Sequence, residues 1–468
     1  MRVLLVQPFK DAGLSNQSWP PIGLGYLATS VRNAGHEVQI LDCLKECRDN
    51  GDFVRAVEKF DPQVVGYNLY SIAVPLVQEM LEALHLSRPK VINIFGGPHV
   101  SSLPDQVLDV IPHVDYAIQG EGEVPLPMLL KALESGVHTF GEIPGLIYRE
   151  EGMIKKNPSH FQKNIEEYGF PAWDLIKPQE YFQFFGIGPD TAPIFLSRGC
   201  PFPCTFCAAS VVTGRSLRWR GFDHIFEEFR LLQNEYGIKR FVLEDEGTGV
   251  AEKFLTKFCR RVKEESFKAA FAMGVGMRLD QYSEELLLEM RDAGFEKRIV
   301  LGIESGSERI LNKMKKDSDI DLIREKVALM DRMGFEPNGY FIVGFPSETR
   351  EEIEKTIQLA LSLPIREASF TAFQPLPATP ATDELIANGE LPPDYDFSKL
   401  VQNGIAYAPK GMTVEELERI RKRAILRFYL RPKILFSYFK SFRTLKYAFC
   451  KFLAIFTKDN VIPEPNWS

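Results

Sequence analysis

Short runs of apolar residues alternate with helix-like patterns over the first 140 positions of the chain. The runs are rich in Val, Ile and Leu, which is typical of parallel strands covered on both faces. The predicted strands are Arg2–Val6, Glu37–Leu41, Gln63–Tyr67, Val91–Phe95 and Val114–Ile118, and the predicted helices begin near Gly23, Asp52, Ile72 and Leu103. Residues 1–140 are therefore expected to form a Rossmann-like, doubly wound α/β domain that binds ligands at the C-terminal ends of its strands.

The alternating pattern stops between about residues 141 and 190. Prolines interrupt this stretch and large aromatic residues lie between them, namely Pro144, Pro158, Pro171, Pro178, Pro189, Trp173, Tyr181 and Phe185. A solvated linker carries fewer aromatic residues. The segment is predicted to be an irregular strap packed between two domains.

Six further strand-and-helix units follow in residues 191–395. The predicted strands are Ile194–Ser197, Arg240–Asp245, Phe271–Met277, Arg298–Glu304, Gly339–Gly344 and Ala368–Phe373, with helices such as Phe222–Tyr236, Ser283–Ala293 and Arg350–Leu363 between them. Consecutive units of this kind predict a partial (β/α)6 barrel related to the TIM barrel. Such a fold builds its active site from the loops that follow the strands.

The last segment, residues 396–468, is predicted to be a helical region. Thr413 and Glu416 form a capping-box pattern at a helix start. Between Lys410 and Asp459 there are thirteen Lys and Arg residues against four Asp and Glu residues, interleaved with aromatic residues. Such a helix either packs on the barrel with its charges in water or lies on a membrane surface. The second alternative favours a lipid-like substrate.

The composition of the 468 residues narrows the class of protein. Hydrophobic residues make up 45% and charged residues 25%, which is typical of soluble globular proteins. The net charge of −7 gives no reason to expect a nucleic acid partner. No signal peptide or membrane-spanning run is apparent, so a cytoplasmic location is expected. The seven cysteines then indicate metal binding or catalysis rather than disulfides.

Three of these cysteines form a compact cluster, Cys200, Cys204 and Cys207, directly after a predicted strand. Pro201 and Pro203 exclude a helix between them, so the segment is a loop that can surround a metal centre. Thiolates are ligands for zinc or for iron–sulfur clusters. A closed structural site uses four ligands, and the nearest further donor is His224 on the next predicted helix. Three ligands leave one metal position open for reaction.

The cysteine loop resembles that of the radical S-adenosylmethionine (SAM) enzymes, in which CxxxCxxC follows the first strand of a six-unit partial barrel. Phe206 occupies the aromatic position before the last cysteine. The resemblance implies that Cys200, Cys204 and Cys207 hold a [4Fe-4S] cluster, and that its fourth iron binds SAM. It also implies an external one-electron donor.

Later segments extend the resemblance over about 200 residues. It implies SAM contacts for Phe206, Asp245, Glu246, Arg278, Glu304, Ser305 and Gly344. Glu246 stands where the family's paired-acid motif has a second Asp, and Thr248 stands where an aromatic residue is usual. Acids suit the ammonium and ribose hydroxyls of SAM, and an arginine suits its carboxylate. Taken singly, each acid could equally be a solvated helix cap and Arg278 a structural ion pair.

The N-terminal domain contains a glycine pattern with two interpretations. Gly23, Gly25 and Ala28 satisfy the dinucleotide fingerprint GxGxxA, with Asp42 about twenty residues later. In a dinucleotide site the glycines follow the first strand at once, whereas here that strand ends near Val6. The context therefore argues against NAD or FAD.

The same segment resembles the cobalamin-binding domain that precedes many radical SAM barrels. The resemblance assigns cobalamin contacts to Gly23, Asn68, Ser71, Gly96, Gly97, Gly120 and Glu121. Paired glycines at a strand end allow a bulky ligand to approach the backbone. The DxHxxG motif that supplies a histidine to cobalt is absent, and His99 is interpreted as a turn or core residue. A domain that has lost the cofactor is the remaining alternative.

Together these resemblances predict an enzyme that cleaves SAM reductively and methylates an unactivated carbon of a small-molecule or lipid-like substrate. A cobalamin-binding enzyme that forms or rearranges a ring without net methyl transfer is one alternative. A metal-cluster binding or electron-transfer protein without SAM chemistry is another. The sequence does not identify the substrate or name a catalytic residue.

Overall fold

The computed structural model describes residues 1–8, 19–136, 139–181, 188–246, 252–400, 404–432 and 434. Phe185, Thr248, Cys450 and most of the basic tail lie outside these residues. The described chain forms an N-terminal α/β domain, a strap, a half-barrel of six strands and a C-terminal helix. This architecture confirms the predicted fold class.

The N-terminal domain is a seven-stranded sheet with helices on its two faces. Its strands are β1 (Arg2–Gln7), β2 (Glu37–Asp42), β3 (Val64–Asn68), β4 (Ile92–Gly96), β5 (Tyr116–Ile118), β6 (Leu146–Glu150) and β7 (Met153–Lys156). Its helices are α1 (Ile22–Asn33), α2 (Cys43–Glu46), α3 (Asn50–Phe60), α4 (Val74–Ser87), α5 (Pro98–Ser102), α6 (Val107–Val110) and α7 (Pro125–Ser135). The strand order is β2-β1-β3-β4-β5-β6-β7, and the first five strands run parallel. The five predicted strands are therefore confirmed.

Two predictions in this half of the chain are wrong. The predicted irregular strap contains a hairpin, because β6 and β7 pair antiparallel and extend the N-terminal sheet. Glu151 and Gly152 both have positive φ, 49° and 79°, as a tight hairpin turn requires. The helix expected near Leu103 is absent at that position and is replaced by the short α5 and α6. Pro104 disfavours helical backbone at Leu103.

The rest of the strap packs between the domains and includes helix α8 (Trp173–Ile176). Trp173 and Tyr181 are both buried. The indole nitrogen of Trp173 donates to Glu228 at 2.9 Å, and the Tyr181 hydroxyl donates to Asp42 at 2.9 Å. These bonds give each buried aromatic side chain a polar partner and connect the strap to both domains.

The second domain contains two three-stranded parallel sheets side by side. Its strands are β8 (Thr191–Ile194), β9 (Ser197–Arg198), β10 (Arg218–Trp219), β11 (Arg240–Leu243), β12 (Ala270–Met273), β13 (Arg298–Glu304), β14 (Glu336–Val343) and β15 (Ala368–Ala372). Its helices are α9 (Ala209–Thr213), α10 (Phe222–Tyr236), α11 (Glu252–Glu264), α12 (Glu284–Asp292), α13 (Glu308–Met314), α14 (Ile320–Arg332), α15 (Arg350–Ser362) and α16 (Pro380–Ala387). The sheet orders are β12-β11-β8 and β13-β14-β15, which confirms six parallel barrel strands.

A phenylalanine cluster fills the space between the first sheet and its helices. Phe229, Phe241, Phe258 and Phe271 are fully buried and their rings contact one another. They come from α10, β11, α11 and β12, so that one side of each strand packs on the helices. The other side of each strand faces the inside of the half-barrel.

The C-terminal helix α17 (Val414–Tyr429) lies against the barrel. The Thr413 side chain accepts a hydrogen bond from the Glu416 backbone at 3.2 Å, as the capping pattern predicts. Leu417, Ala424 and Phe428 are buried in the same core as the barrel helices. The described part of the basic region is therefore a helical cap. None of the described helices is both long enough and apolar enough to cross a membrane.

Candidate active site

The three cysteines lie in an excursion between β9 and β10. These two-residue strands pair antiparallel, with Arg218 opposite Arg198, and close the base of the excursion. The backbone nitrogen of Cys200 donates to the Gly214 carbonyl at 3.0 Å. Gly199 has a φ of 93°, where a side chain would overlap the Ser216 carbonyl. A glycine is required at this position for the loop to turn toward the inside of the barrel.

Thr205 anchors the middle of the loop to two distant helices. Its backbone nitrogen donates to Met314 O at 3.0 Å, and its hydroxyl donates to Lys313 O at 2.9 Å. Its carbonyl accepts from Ala381 N at 2.9 Å. The loop is therefore connected to the end of α13 and the start of α16, and these bonds set the position of Cys204 and Cys207.

The thiols of Cys200, Cys204 and Cys207 are half-buried and form no disulfide. Burial raises the pKa of all three. Among the described residues, no three Cys, His, Asp or Glu side chains are arranged to hold a single metal ion. A cluster distributes its cysteine ligands over separate iron atoms, so a soft set of three thiols on one loop fits an iron–sulfur cluster.

Asp245 supports the strand that leads into the cysteine loop. The carboxylate is fully buried, and Oδ1 accepts from Leu196 N at 2.7 Å, from the Ser197 hydroxyl at 2.8 Å and from Ser197 N. Burial raises the pKa of Asp245 to about 7, although these hydrogen bonds oppose the shift. The next acid, Glu246, is exposed and accepts from the Thr213 hydroxyl of α9. Asp245 and Glu246, both predicted to contact SAM, thus contact the segment before the cysteine loop and helix α9 after it, respectively.

Glu304 forms an ion pair that the sequence analysis missed. Its φ of 66° lies in the left-handed region, at an irregularity in β13. Lys316 donates to its carboxylate at 2.9 Å, and the lysine side chain is only 16% exposed. Glu304 raises the pKa of Lys316 against the effect of burial, and the nearby thiol of Cys204 acts in the same direction. An acid and a cation therefore lie together beside the cysteine loop.

Arg278 supports the loop from the other side. Its guanidinium donates to Asp280 at 3.0 Å and to the Asp317 carbonyl at 3.2 Å. The same group lies over the Phe202 ring, 4.2 Å from the centroid. Phe202 belongs to the cysteine loop, so Arg278 holds the loop through a cation–π contact. The structural ion pair considered in the sequence analysis is thus present, and the SAM contact assigned to Arg278 stays a prediction.

The remaining predicted SAM residues lie near the ends of β13 and β14. Ser305 is buried and accepts from Ser307 N at 3.1 Å. Gly344 has a φ of 76°, and a side chain there would overlap Leu417 of α17. Glu348 accepts from Gly344 N at 2.6 Å, and burial raises the pKa of that carboxyl group to about 8. Phe206 packs with the apolar cluster that contains Ile310, Phe345 and Phe373.

The C-terminal edge of the N-terminal sheet carries amides and glycines rather than bulky side chains. Asn68 donates to Gln7 at 2.9 Å. Gly96 ends β4, and Gly97 has a φ of 94°, where a side chain would overlap Asn68. Gly120 donates from its backbone to the Ser101 hydroxyl at 3.0 Å. One of these three neighbouring strands therefore ends at an asparagine and the other two end at or near glycines, which leaves room for a large, flat ligand such as cobalamin.

His99 and Ser71 pair with each other at this edge, since the two side chains lie 3.0 Å apart. Burial lowers the pKa of His99 to about 4, so the imidazole is neutral at physiological pH. Gly23 lies in the first turn of α1, exposed and with open space beside it. A side chain on Gly25 would collide with Ile176 and Pro171. Both glycines thus belong to a helix rather than to a dinucleotide-binding loop.

Glu121 lies between the two domains. Its carboxylate accepts two hydrogen bonds from Arg218, at 2.7 and 2.8 Å, and one from the Tyr168 hydroxyl at 2.9 Å. Arg198, two residues before Cys200, pairs with Glu123 at 2.7 Å and with Glu121 at 3.4 Å. We call Glu121, Glu123, Arg198 and Arg218 the interdomain ion cluster. In this cluster, the arginines engage the carboxylate of Glu121, the residue that the sequence analysis assigned to cobalamin.

Comparison with known proteins places this geometry in a family. The protein-family model for the B12 binding domain matches residues 12–130, and that for the radical SAM superfamily matches residues 194–360. An uncharacterized methyltransferase of Pyrococcus horikoshii is 32% identical over 441 residues, which cover 93% of this chain and 94% of that protein. The chain belongs to the B12-binding radical SAM family.

This radical SAM protein is also similar to an anaerobic magnesium-protoporphyrin IX monomethyl ester cyclase of Cereibacter sphaeroides. The two are 26% identical, over 94% of this chain and 72% of the cyclase. Among solved structures, the cobalamin-dependent SAM radical enzyme OxsB with aqua-cobalamin and SAM bound superposes with a TM-score of 0.73 at 16% identity. The match covers 98% of this chain and 74% of OxsB.

The family settles several expectations of the sequence analysis. The protein is an enzyme, and its cofactors are a [4Fe-4S] cluster, SAM and cobalamin. The dinucleotide interpretation of the glycine pattern is therefore replaced by cobalamin binding. The match to the radical SAM superfamily likewise argues against an electron-transfer protein without SAM chemistry.

Proposed function

We propose that this enzyme is a cobalamin-dependent radical SAM methyltransferase that adds a methyl group to an unactivated carbon of a small or lipid-like molecule. The observation that carries the proposal is the contact between the two cofactor regions. Helix α5 follows Gly97 at the C-terminal edge of the N-terminal sheet, where cobalamin is expected to bind. It packs against helix α9, which follows Cys207. Residues on these two elements could therefore hold two cofactors close to each other.

Within this proposal, Cys200, Cys204 and Cys207 hold the cluster. The C-terminal edge of the N-terminal sheet, with Gly96, Gly97 and Gly120, holds cobalamin. When bound, the cluster with SAM would supply radical chemistry at the substrate carbon, and cobalamin would supply a methyl group that originates from a second SAM. The electron comes from an external donor. The protein residues position the reactants and exclude water, since such cofactors carry the difficult chemistry themselves.

We assign the methionine part of SAM to Glu304 and Lys316. An amino acid carries one ammonium and one carboxylate, and this ion pair offers the complementary charges 2.9 Å apart. The zwitterionic amino-acid end of SAM exchanges one ion pair for two, so this end brings no net charge to the site. The pair also lies near Cys204, whose thiol acts on the pKa of Lys316.

The first test uses anaerobically reconstituted enzyme, a strong reductant and SAM with a deuterated methyl group. We expect 5′-deoxyadenosine to form and the deuterated methyl group to appear on cobalamin. Cys204→Ala should abolish deoxyadenosine formation. Cys259→Ala is the matched control, because Cys259 is a buried cysteine outside the loop.

Each outcome of this test has a distinct meaning. Deoxyadenosine without a labelled cobalamin would favour the cyclase or rearrangement alternative, which the similarity to the Cereibacter cyclase supports. If enzyme with a full complement of iron neither cleaves SAM nor binds it, the proposed function is wrong.

A further inference from the structure

The strands of the half-barrel present two different faces. Phe241, Leu243, Phe271 and Met273 point outward, because all four belong to the core shared with the helices. Val242 and Ala272 alternate with them and lie opposite each other in the register of β11 and β12. Both are buried, yet neither belongs to that core. They therefore face the inside of the half-barrel.

The inside face is aliphatic along β11, β12 and the middle of β13, whereas β14 and β15 add the polar side chains of Asn338, Ser369 and Thr371. There is room in front of this face. Val242, Ala272 and Val300 contribute small aliphatic side chains, and Gly302 contributes none. Tyr340, which lies beside Gly302 in the register of β13 and β14, is 42% exposed although it stands within a strand. A large side chain can be so exposed there only if open space lies in front of the sheet.

Glu244 brings one acid to this face. It follows Val242 by two positions, and its backbone nitrogen donates to Ile194 O at 2.9 Å, which continues the sheet. Its carboxylate lies against Gly274, where a side chain would overlap it. In the described part of the chain, neither a hydrogen bond nor an ion pair engages this carboxylate. Glu304, the acid at the end of β13, is by contrast paired with Lys316.

An unpaired, half-buried acid in an apolar chamber needs a partner, since burial without one is costly. Burial raises the pKa of Glu244 to about 7, and the neighbouring Asp245 adds to the shift. A ligand that donates a hydrogen bond, or that carries a positive charge, would relieve this cost. A ligand with an anionic group would increase it.

We infer that the inside face of the half-barrel binds a largely apolar substrate that carries one hydroxyl or amine group, which donates a hydrogen bond to Glu244. The aliphatic residues and Tyr340 surround the hydrocarbon part. The inference rests on the proposed function for its statement that the occupant is the substrate. Glu244 thereby acts as a specificity residue that orients the carbon to be modified.

The test measures binding of three probes of equal chain length, octylamine, 1-octanol and octanoate, to the holoenzyme by calorimetry. We expect the amine and the alcohol to bind about tenfold more tightly than octanoate, which corresponds to about 1.4 kcal/mol. Glu244→Gln should remove most of the preference for the amine over octanoate. Tyr340→Ala should weaken all three probes together.

Glu264→Gln is the matched control, since Glu264 is an exposed acid at the end of α11. Equal binding of the amine and octanoate by the wild type would overturn the inference, whether or not Glu244→Gln folds. An unchanged preference in a folded Glu244→Gln would overturn it as well. Neither result bears on SAM cleavage, so failure here is distinguishable from failure of the proposed function.

Discussion

At the scale of single residues, the charged side chains around the cysteine loop differ in how many partners they contact. Arg278 is held by two aspartates and an aromatic ring, and Asp245 accepts three hydrogen bonds from the neighbouring strand. Among the acids in the described ranges, Lys316 pairs with one, Glu304. A group with one partner can reorganise around a ligand at lower cost than a group with three. This difference supports the proposal that Lys316 contacts SAM.

Lys316→Met should weaken SAM binding while the cluster stays intact. Methionine retains the apolar stem but removes the charge that pairs with a carboxylate. We expect the Kd for SAM to rise by about tenfold or more, or roughly 1.4 kcal/mol. Equilibrium dialysis on the reconstituted enzyme measures this, and the iron content serves as the check on the cluster.

The neighbouring Lys315→Met is the control for this experiment, since that side chain is exposed. Its substitution should leave SAM affinity unchanged. Equal weakening by both substitutions would indicate a general effect of charge and would contradict the specific role of Lys316.

At the scale of elements, the cluster loop depends on contacts outside its own sequence. The pairing of β9 with β10 involves only two residues on each strand, which is marginal by itself. Thr205 adds three hydrogen bonds to α13 and α16. The loop is thus positioned by helices more than 100 residues away in the sequence.

Thr205→Val should loosen the loop without changing its shape. The substitution removes the hydroxyl that donates to Lys313 O, which should cost about 1 kcal/mol of stability. We also expect less iron to be retained after reconstitution, as measured by iron content and visible absorbance.

The matched control is Thr29→Val, which removes a similar hydroxyl bond to Phe170 O at 2.6 Å. Thr29 lies on α1, in the other domain. Its loss should lower stability by a similar amount and leave the iron content unchanged. If both variants lose iron equally, the effect follows from global stability rather than from the anchor.

At the scale of the whole molecule, the interdomain ion cluster couples the two cofactor domains. Glu121 and Glu123 belong to the N-terminal domain, whereas Arg198 and Arg218 flank the cysteine excursion on β9 and β10. The guanidinium of Arg198 also lies over the rings of Tyr26 and Tyr168, at 4.7 and 4.9 Å. These buried charges therefore pair across the boundary between the two domains.

Glu121→Gln should destabilise the protein strongly, by about 3–5 kcal/mol, because it leaves the buried Arg218 without its bidentate partner. Denaturant unfolding measures the loss. The double variant Glu121→Gln/Arg218→Met should recover part of it, since no unpaired charge then remains at Arg218.

An exposed ion pair between the N-terminal domain and the strap provides the comparison. Asp174→Asn breaks the ion pair with Arg32, in which both side chains are about half exposed, at 46% and 56%. We expect a change within about 1 kcal/mol. A small effect of Glu121→Gln, comparable to that of Asp174→Asn, would contradict the role of the buried cluster.

The features of this protein that depend on local pattern are predictable from its amino-acid sequence. Buried parallel strands are continuous apolar runs, so the five Rossmann strands and six barrel strands were predicted within a few residues. The spacing of Cys200, Cys204 and Cys207 is likewise local, because one loop carries all three ligands. The hairpin of β6 and β7 was missed because its strands are short and lie among prolines, although the Glu151-Gly152 turn was a usable signal.

The pairing of charged residues, by contrast, becomes apparent from the folded chain. Acids follow several barrel strands, and periodicity does not distinguish Asp245, which is tied to Ser197, from Glu244, which faces the chamber. Lys316 reaches Glu304 across a helix, and Glu121 meets Arg218 from another domain. Such pairings arise from the packing of distant elements, because an ion pair depends on distance in space and leaves no fixed spacing along the chain.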